Sequence, residues 1–181
     1  MGSHRDRFCA LYEENYHRIL GYALRRTDSS EAADVVAETF TIAWRRLDAV
    51  PEGEEARLWL YGTARRVLAN HHRARRRRER LAGRLQEQAR APLDSERDEV
   101  GALSAAFARL REDERELLTL AGWEELGAGE IAEVLGCSRN AARIRLHRAR
   151  RRLAQELGRS KRQSGGGHVS LVSSIGTEER L

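Results

Sequence analysis

The sequence predicts an all-α protein: two small helical domains joined by a flexible linker, the C-terminal one containing a helix-turn-helix. Three observations carry this reading. Apolar residues recur at spacings of three and four along most of the chain, the period that lines one face of an α-helix. No stretch alternates apolar and polar residues convincingly enough to demand a strand. Capping residues, prolines and glycines punctuate the apolar stripes where one helix must end and the next begin.

Phe8, Leu11, Tyr12, Ile19, Tyr22 and Ala23 mark an amphipathic first helix, broken by TDSSE at 27–31. Within that break Asp28, Ser29 and Ser30 are capping types, and Glu31 suits the first turn of the next helix. In this second helix Val36, Phe40, Ala43 and Leu47 repeat at steps of four, three and four, opposite Asp34, Glu38, Thr41 and Arg45. DAVPEGEE at 48–55 reads as a loop. A long third helix runs from about Ala56 toward Arg80, with Leu60, Ala64, Val67 and His71 on one stripe and Tyr61 and Leu68 beside it.

The pattern then weakens and Pro92 interrupts it, so 1–80 is expected to be one domain and 81–94 a linker. Asp94 and Ser95 can cap a fourth helix, in which Val100, Leu103, Phe107 and Leu110 keep three-four spacing. A fifth, with leucines at 117, 118 and 120, leads toward the helix-turn-helix and completes a second domain over 95–158. Beyond Gly158 the composition turns polar and glycine-serine rich, which predicts a flexible, dispensable tail over 159–181.

The most informative stretch is EIAEVLGCSRNAARIRLHRARRRL, residues 130–153. Ile131, Ala132 and Leu135 form a short apolar stripe that stops at Gly136, the residue type best able to adopt the left-handed conformation after a helix. Ser138 can cap the next helix. There Ala142, Leu146, Ala149 and Leu153 share one stripe, while Arg143, Ile144, His147, Arg148 and Arg151 lie on the other side. A short helix, a glycine-led turn and a second helix outline a helix-turn-helix, whose second helix lies in the DNA major groove. The competing reading, a solvated basic face, must account for the turn and for the absence of any acid from 139 to 152.

Charge supports the same conclusion. The net charge is +5, but the excess is concentrated: eight arginines against Glu79 between 65 and 80, and seven arginines against no acid between 139 and 152. Between them, 94–116 holds eight acids against four arginines, so two separate contacts with a polyanion are expected. Lys161 is the single lysine; the remaining cations are guanidinium forks suited to phosphate and to guanine edges. Cys9 and Cys137 make neither a disulfide framework nor a zinc pattern. No apolar run approaches the roughly 20 residues of a membrane span, and no leader with a hydrophobic centre opens the chain, so a cytoplasmic protein without membrane insertion is expected. An enzyme is not: adjacent His71 and His72 point to different helix faces, GAGEIA lacks the lysine of a phosphate loop, and no cofactor, metal or small-molecule substrate is implied.

Taken together, FCALYEENYHRILGYALRRTDSSEAADVVAETFTIAWRRL, ARLWLYGTARRVLANHHRARRRRERL and the block from Ala106 to Leu153 resemble the extracytoplasmic-function group of the sigma-70 family of bacterial RNA polymerase sigma factors. The resemblance covers about residues 8–157 and implies a factor that binds core RNA polymerase, recognises minus-35 and minus-10 promoter elements and helps to open the DNA. It implies polymerase docking through Asp34, Glu38, Thr39 and Trp44 on the DVVAETF helix. Minus-10 recognition and melting would fall to Trp59, Tyr61, Arg65, Arg66, Arg73, Arg76 and Arg77, because strand opening without ATP needs rings to stack unpaired bases and cations to hold phosphates. Each ring can equally be core. The family often carries asparagine where this chain has Arg66. Minus-35 candidates are Asn140, Arg143, Ile144, Arg145, His147, Arg148 and Arg151, with Ile144 standing where relatives commonly carry a small polar residue. An anti-sigma factor that covers these surfaces is a further partner of the kind the resemblance implies. The alternative is a conventional helix-turn-helix repressor or activator with an N-terminal dimerisation domain, which would not need the aromatic and cationic residues of 58–78.

Overall fold

The computed structural model describes residues 4–81 and 99–165. Among these the chain forms α1 (His4–Leu24), α2 (Ser29–Arg45), a 3-10 turn (Leu47–Ala49), α3 (Glu54–Leu81), α4 (Glu99–Ala108), α5 (Glu112–Gly122), α6 (Ala128–Leu135) and α7 (Arg139–Gly165), with no strand among the described residues. The expected all-α fold is therefore present. Contacts group the chain into two compact units, Met1–Glu87 with Thr119–Arg143, and Gln88–Leu118 with Ile144–Leu181.

In the first unit α1 packs on α2 and α3, α2 on α3, and α6 on α3. Ile19, Tyr22, Val35, Leu47, Leu60 and Val67 are almost completely withdrawn from solvent, as are Leu120 and Ile131 from the later segment. Each such side chain contributes about 1.5–3 kcal/mol on leaving water. The start of α2 is built as its sequence implies: Asp28 Oδ1 accepts from Glu31 N at 2.9 Å, and Glu31 in turn accepts from the Thr27 hydroxyl. α3 begins after Gly53, whose φ of +64° is a backbone state that favours glycine. It starts two residues before the expected Ala56, taking Glu54 and Glu55 into its first turn, where carboxylates are favoured by the helix dipole.

The helix-turn-helix is also local in origin. Gly136 adopts φ 64°, ψ 41° at the end of α6, and Cys137 N donates to Ala132 O at 2.9 Å, closing the last turn. Ser138 Oγ accepts from Ala141 N at 3.2 Å and opens α7. Ahead of α6, Glu130 Oε2 accepts from Gly127 N at 2.7 Å.

The second unit buries Ala106, Leu110, Leu117, Leu118, Leu146 and Ala149. Its α4 departs from the expected stripe: Leu103 is 44% exposed and Ala106 takes the interior position. A domain this small covers only one narrow face of a ten-residue helix, so three-four spacing alone overstates what is buried. α4 ends at Ala108 because Arg115 Nη1 donates to the carbonyls of Ala108 and Leu110, at 3.1 and 2.7 Å, in place of a further helical turn. A second correction concerns α7. It continues to Gly165 instead of giving way to a flexible tail at 159, and Arg159 with Arg152 pairs with the buried Glu156 at 3.1 and 3.2 Å. That charged pairing carries the helix across Gly158. The caps expected at Asp94 and Ser95, nearly all of the 81–94 linker and the tail from 166 onward lie outside the described residues.

Candidate nucleic-acid interface

On α2 the apolar stripe turns inward and leaves Asp34 and Glu38 exposed one turn apart. Glu38 Oε2 lies 2.9 Å from His71 Nε2 on α3, and Glu31 Oε1 lies 3.7 Å from His71 Nδ1, so the histidine sits between two carboxylates. Thr39 is fully buried and its hydroxyl donates to Val35 O at 2.7 Å. Of the four docking candidates it is the one that presents no surface. Trp44 is 43% exposed and meets the rings of His4 and Phe8 edge-on, both at 5.0 Å. With Phe8, Phe40 and Tyr12 it forms an aromatic patch along α1 and α2.

On α3 the expected aromatic pair divides. Trp59 is half-buried, while Tyr61 is 2% exposed and packs 5.3 Å from the Tyr22 ring. The Tyr61 hydroxyl donates to Glu124 Oε2 at 3.3 Å. Burial, reinforced by the neighbouring Glu124 carboxylate, pushes the phenol up to about 12. Arg65, Arg66, Arg73, Arg76 and Arg77 are all exposed along the same helix. Arg73 is locally braced, donating to Ala69 O at 3.2 Å and to Asn70 Oδ1 at 2.6 Å.

Along α7 the division into two faces matches the sequence closely. Ala142, Leu146 and Ala149 are buried and Leu153 is half-buried, while Asn140, Arg143, Ile144, Arg145, His147, Arg148 and Arg151 are all exposed. Asn140 Oδ1 accepts from Arg143 Nη2 at 3.0 Å, which orients the first arginine of the face. Such a helix can place guanidinium forks on base edges and phosphates at once.

Sequence reasoning missed an ionic cluster centred on Glu124, which is 6% exposed. Arg25 Nη2 reaches both its oxygens at 2.8 and 2.7 Å, and Arg26 Nη1 lies 3.5 Å away while the Arg26 guanidinium also stacks 3.6 Å from the Tyr22 ring centroid. Nearby in the same unit, Arg57 Nη2 donates to Glu130 Oε1 at 3.0 Å. These partners are 99 and 73 residues apart, so no local spacing could signal them. Among the described residues no cluster of three or more His, Cys, Asp or Glu suits a metal ion, and no helix is long and apolar enough to cross a membrane.

The chain is similar to known proteins along most of its length. Residues 11–78 match the Sigma-70 region 2 family and residues 101–153 match Sigma-70, region 4. The chain is 32% identical over 160 residues to the ECF RNA polymerase sigma factor SigL of Mycobacterium tuberculosis, covering 82% of this chain and 89% of that one. It is 30% identical over 169 residues to the RNA polymerase sigma factor YlaC of Bacillus subtilis, covering 88% and 97%. Its fold is similar to that of the sigma factor RpoE from Bartonella quintana, solved in complex with the anti-sigma factor NepR, with a TM-score of 0.66, 24% identity and coverage of 83% and 96%. Two sigma regions in family order, with relatives at least 30% identical over most of the chain, establish that the chain belongs to the extracytoplasmic-function group of the sigma-70 family of RNA polymerase sigma factors.

Proposed function

We propose how this sigma factor divides its work among its residues. Residues 1–80 carry polymerase docking and minus-10 capture, and 95–158 carry minus-35 recognition. Asp34 and Glu38 contact core polymerase together with Trp44, whose aromatic patch supplies apolar area beside the two charges. Thr39 supports that helix from within. Trp59 supplies a stacking face for an unpaired base, and Arg65, Arg66, Arg73, Arg76 and Arg77 hold the freed strand by its phosphates. Tyr61 acts as core while its hydroxyl is held by Glu124. The observation that carries the reading most strongly is α7, where all seven minus-35 candidates are exposed over a buried alanine and leucine stripe. Arg143, Arg148 and Arg151 are suited to bidentate contacts with guanine, worth about 1–3 kcal/mol of discrimination each, and Ile144 to a thymine methyl.

The factor is regulatory and not an enzyme; it acts in the cytoplasm, where an anti-sigma factor covering the α2 and α7 faces would hold it inactive. The repressor or activator reading is set aside, because the N-terminal block it would use for dimerisation is a sigma region 2.

Run-off transcription tests the assignment. Purified core polymerase with this protein, on fragments of the host genome, is expected to give defined starts sharing two upstream motifs. Asp34→Ala with Glu38→Ala should abolish them by preventing polymerase binding, and Trp59→Ala should spare polymerase binding but reduce opening. Full transcription by both variants would reject these roles.

A further inference from the structure

Of the two carboxylates assigned to polymerase docking, one is held and the other is not. Asp34 is exposed and pairs with no side chain among the described residues, whereas Glu38, one turn later on α2, has its Oε2 2.9 Å from His71 Nε2 on α3. An ionised carboxylate only accepts, so Nε2 is the ring nitrogen that carries a proton and donates. The ring is itself held in place. Its Nδ1 lies 3.7 Å from Glu31 Oε1, and Glu31 is braced from two other directions, accepting from the Thr27 hydroxyl and lying 3.8 Å from Arg75 Nη1. Thr27 is buried where α1 turns into α2, Glu31 stands in the first turn of α2, and Arg75 follows His71 by one turn on α3. The chain of contacts therefore joins three elements that pack on one another. Glu38 is its outermost member, with a side chain 45% exposed against 25% for His71.

Pre-ordering gives this arrangement a use. A glutamate on a solvated helix face samples many rotamers, and a partner that binds it must first select one of them. Immobilising such a side chain at an interface lowers affinity about two- to tenfold. Glu38 has lost that freedom before polymerase arrives, and because His71 engages Oε2, its Oε1 remains for an incoming cation. We infer that His71 is a positioning residue for polymerase docking: it fixes the Glu38 carboxylate in one orientation on the exposed face of α2, while Glu31 fixes the imidazole. The inference rests on the assignment of Glu38 to polymerase docking. It also means that the docking carboxylate is anchored on the helix assigned to strand capture.

Binding of the full chain to immobilised core polymerase, read by biolayer interferometry, tests this. His71→Ala should weaken binding about two- to tenfold. In a Glu38→Ala background the same substitution should cause no further loss, because nothing remains to be positioned. His71→Gln should restore most of the affinity and His71→Asn should not, since the glutamine amide nitrogen reaches about as far from the backbone as Nε2 and the asparagine nitrogen only as far as Nδ1. Losses that multiply in the double variant would make His71 a packing residue and overturn the inference. Equal affinities of the Gln and Asn variants would do the same, and this comparison stands even where His71→Ala fails to fold. Tighter binding by His71→Ala would show that the contact withholds Glu38, the opposite of positioning it.

Glu38→Ala alone separates the two levels of the argument. Wild-type binding by that variant overturns the docking assignment and the inference with it; weak binding by Glu38→Ala beside wild-type binding by His71→Ala overturns the inference only. A second measurement needs no polymerase. In nitrogen–proton NMR spectra of the free protein, the His71 Nε2 proton should give a signal that broadens through solvent exchange in Glu38→Ala. A signal unchanged by that substitution overturns the contact itself.

Discussion

Gly136 offers a test of whether the helix-turn-helix is set by backbone conformation or by space. A Cβ there would meet nothing within 4 Å, yet φ is +64°. Gly136→Ala therefore incurs only the left-handed backbone penalty, about 1–2 kcal/mol, partly offset by about 0.4–1 kcal/mol from the stiffer unfolded chain. The expected net loss is about 1 kcal/mol. Gly122 is the matched control: it ends α5, also has open space around it, belongs to the same compact unit and has no left-handed φ. Gly122→Ala should stabilise by about 0.5 kcal/mol. Trp44, Trp59 and Trp123 all lie in that unit, so tryptophan fluorescence during urea unfolding reports it selectively. With a urea m-value of about 2 kcal/mol/M, the midpoint should fall by about 0.5 M for Gly136→Ala and rise by about 0.25 M for Gly122→Ala. Equal shifts of the same sign at the two positions would refute a backbone origin.

Leu60→Ala, at a site with no solvent exposure, should cost about 2–5 kcal/mol in the same assay, and a loss under about 1 kcal/mol would show that α3 is not packed into the core of its unit. The raised Tyr61 phenol has a definite sign. The folded form keeps its proton to about pH 12 and the unfolded one loses it near 10, so its contribution is complete below pH 10 and is lost as pH rises from 10 to 12. Tyr61→Phe should flatten the decline in urea midpoint between about pH 10 and 12, and an identical decline in both proteins would contradict the shift. Arg148→Ala should weaken minus-35 binding and, if the contact is to phosphate, lower the log-log salt slope by about 0.9; if it is to a base, selectivity should fall with the slope unchanged. Unaltered affinity, selectivity and slope in filter binding would remove Arg148 from the interface.

The helices, their caps and the two-faced α7 were legible in the sequence because they are built from interactions within one or two turns. Asp28 reaches Glu31, Ser138 reaches Ala141, and the positive φ of Gly136 is a property of that residue and its neighbours. The concentration of arginine along 65–80 and 139–152 likewise needs no tertiary information to suggest a polyanion. Packing decided the rest. The family resemblance placed Thr39 among docking candidates and Tyr61 among available rings, and the fold buries both; period placed Leu103 inside, and the fold leaves it exposed. No pattern read along the chain could join Glu124 to Arg25 or Glu130 to Arg57, since helical spacing relates residues three or four apart and these meet only after long loops close. Which charges face solvent and which face each other is settled by that closure.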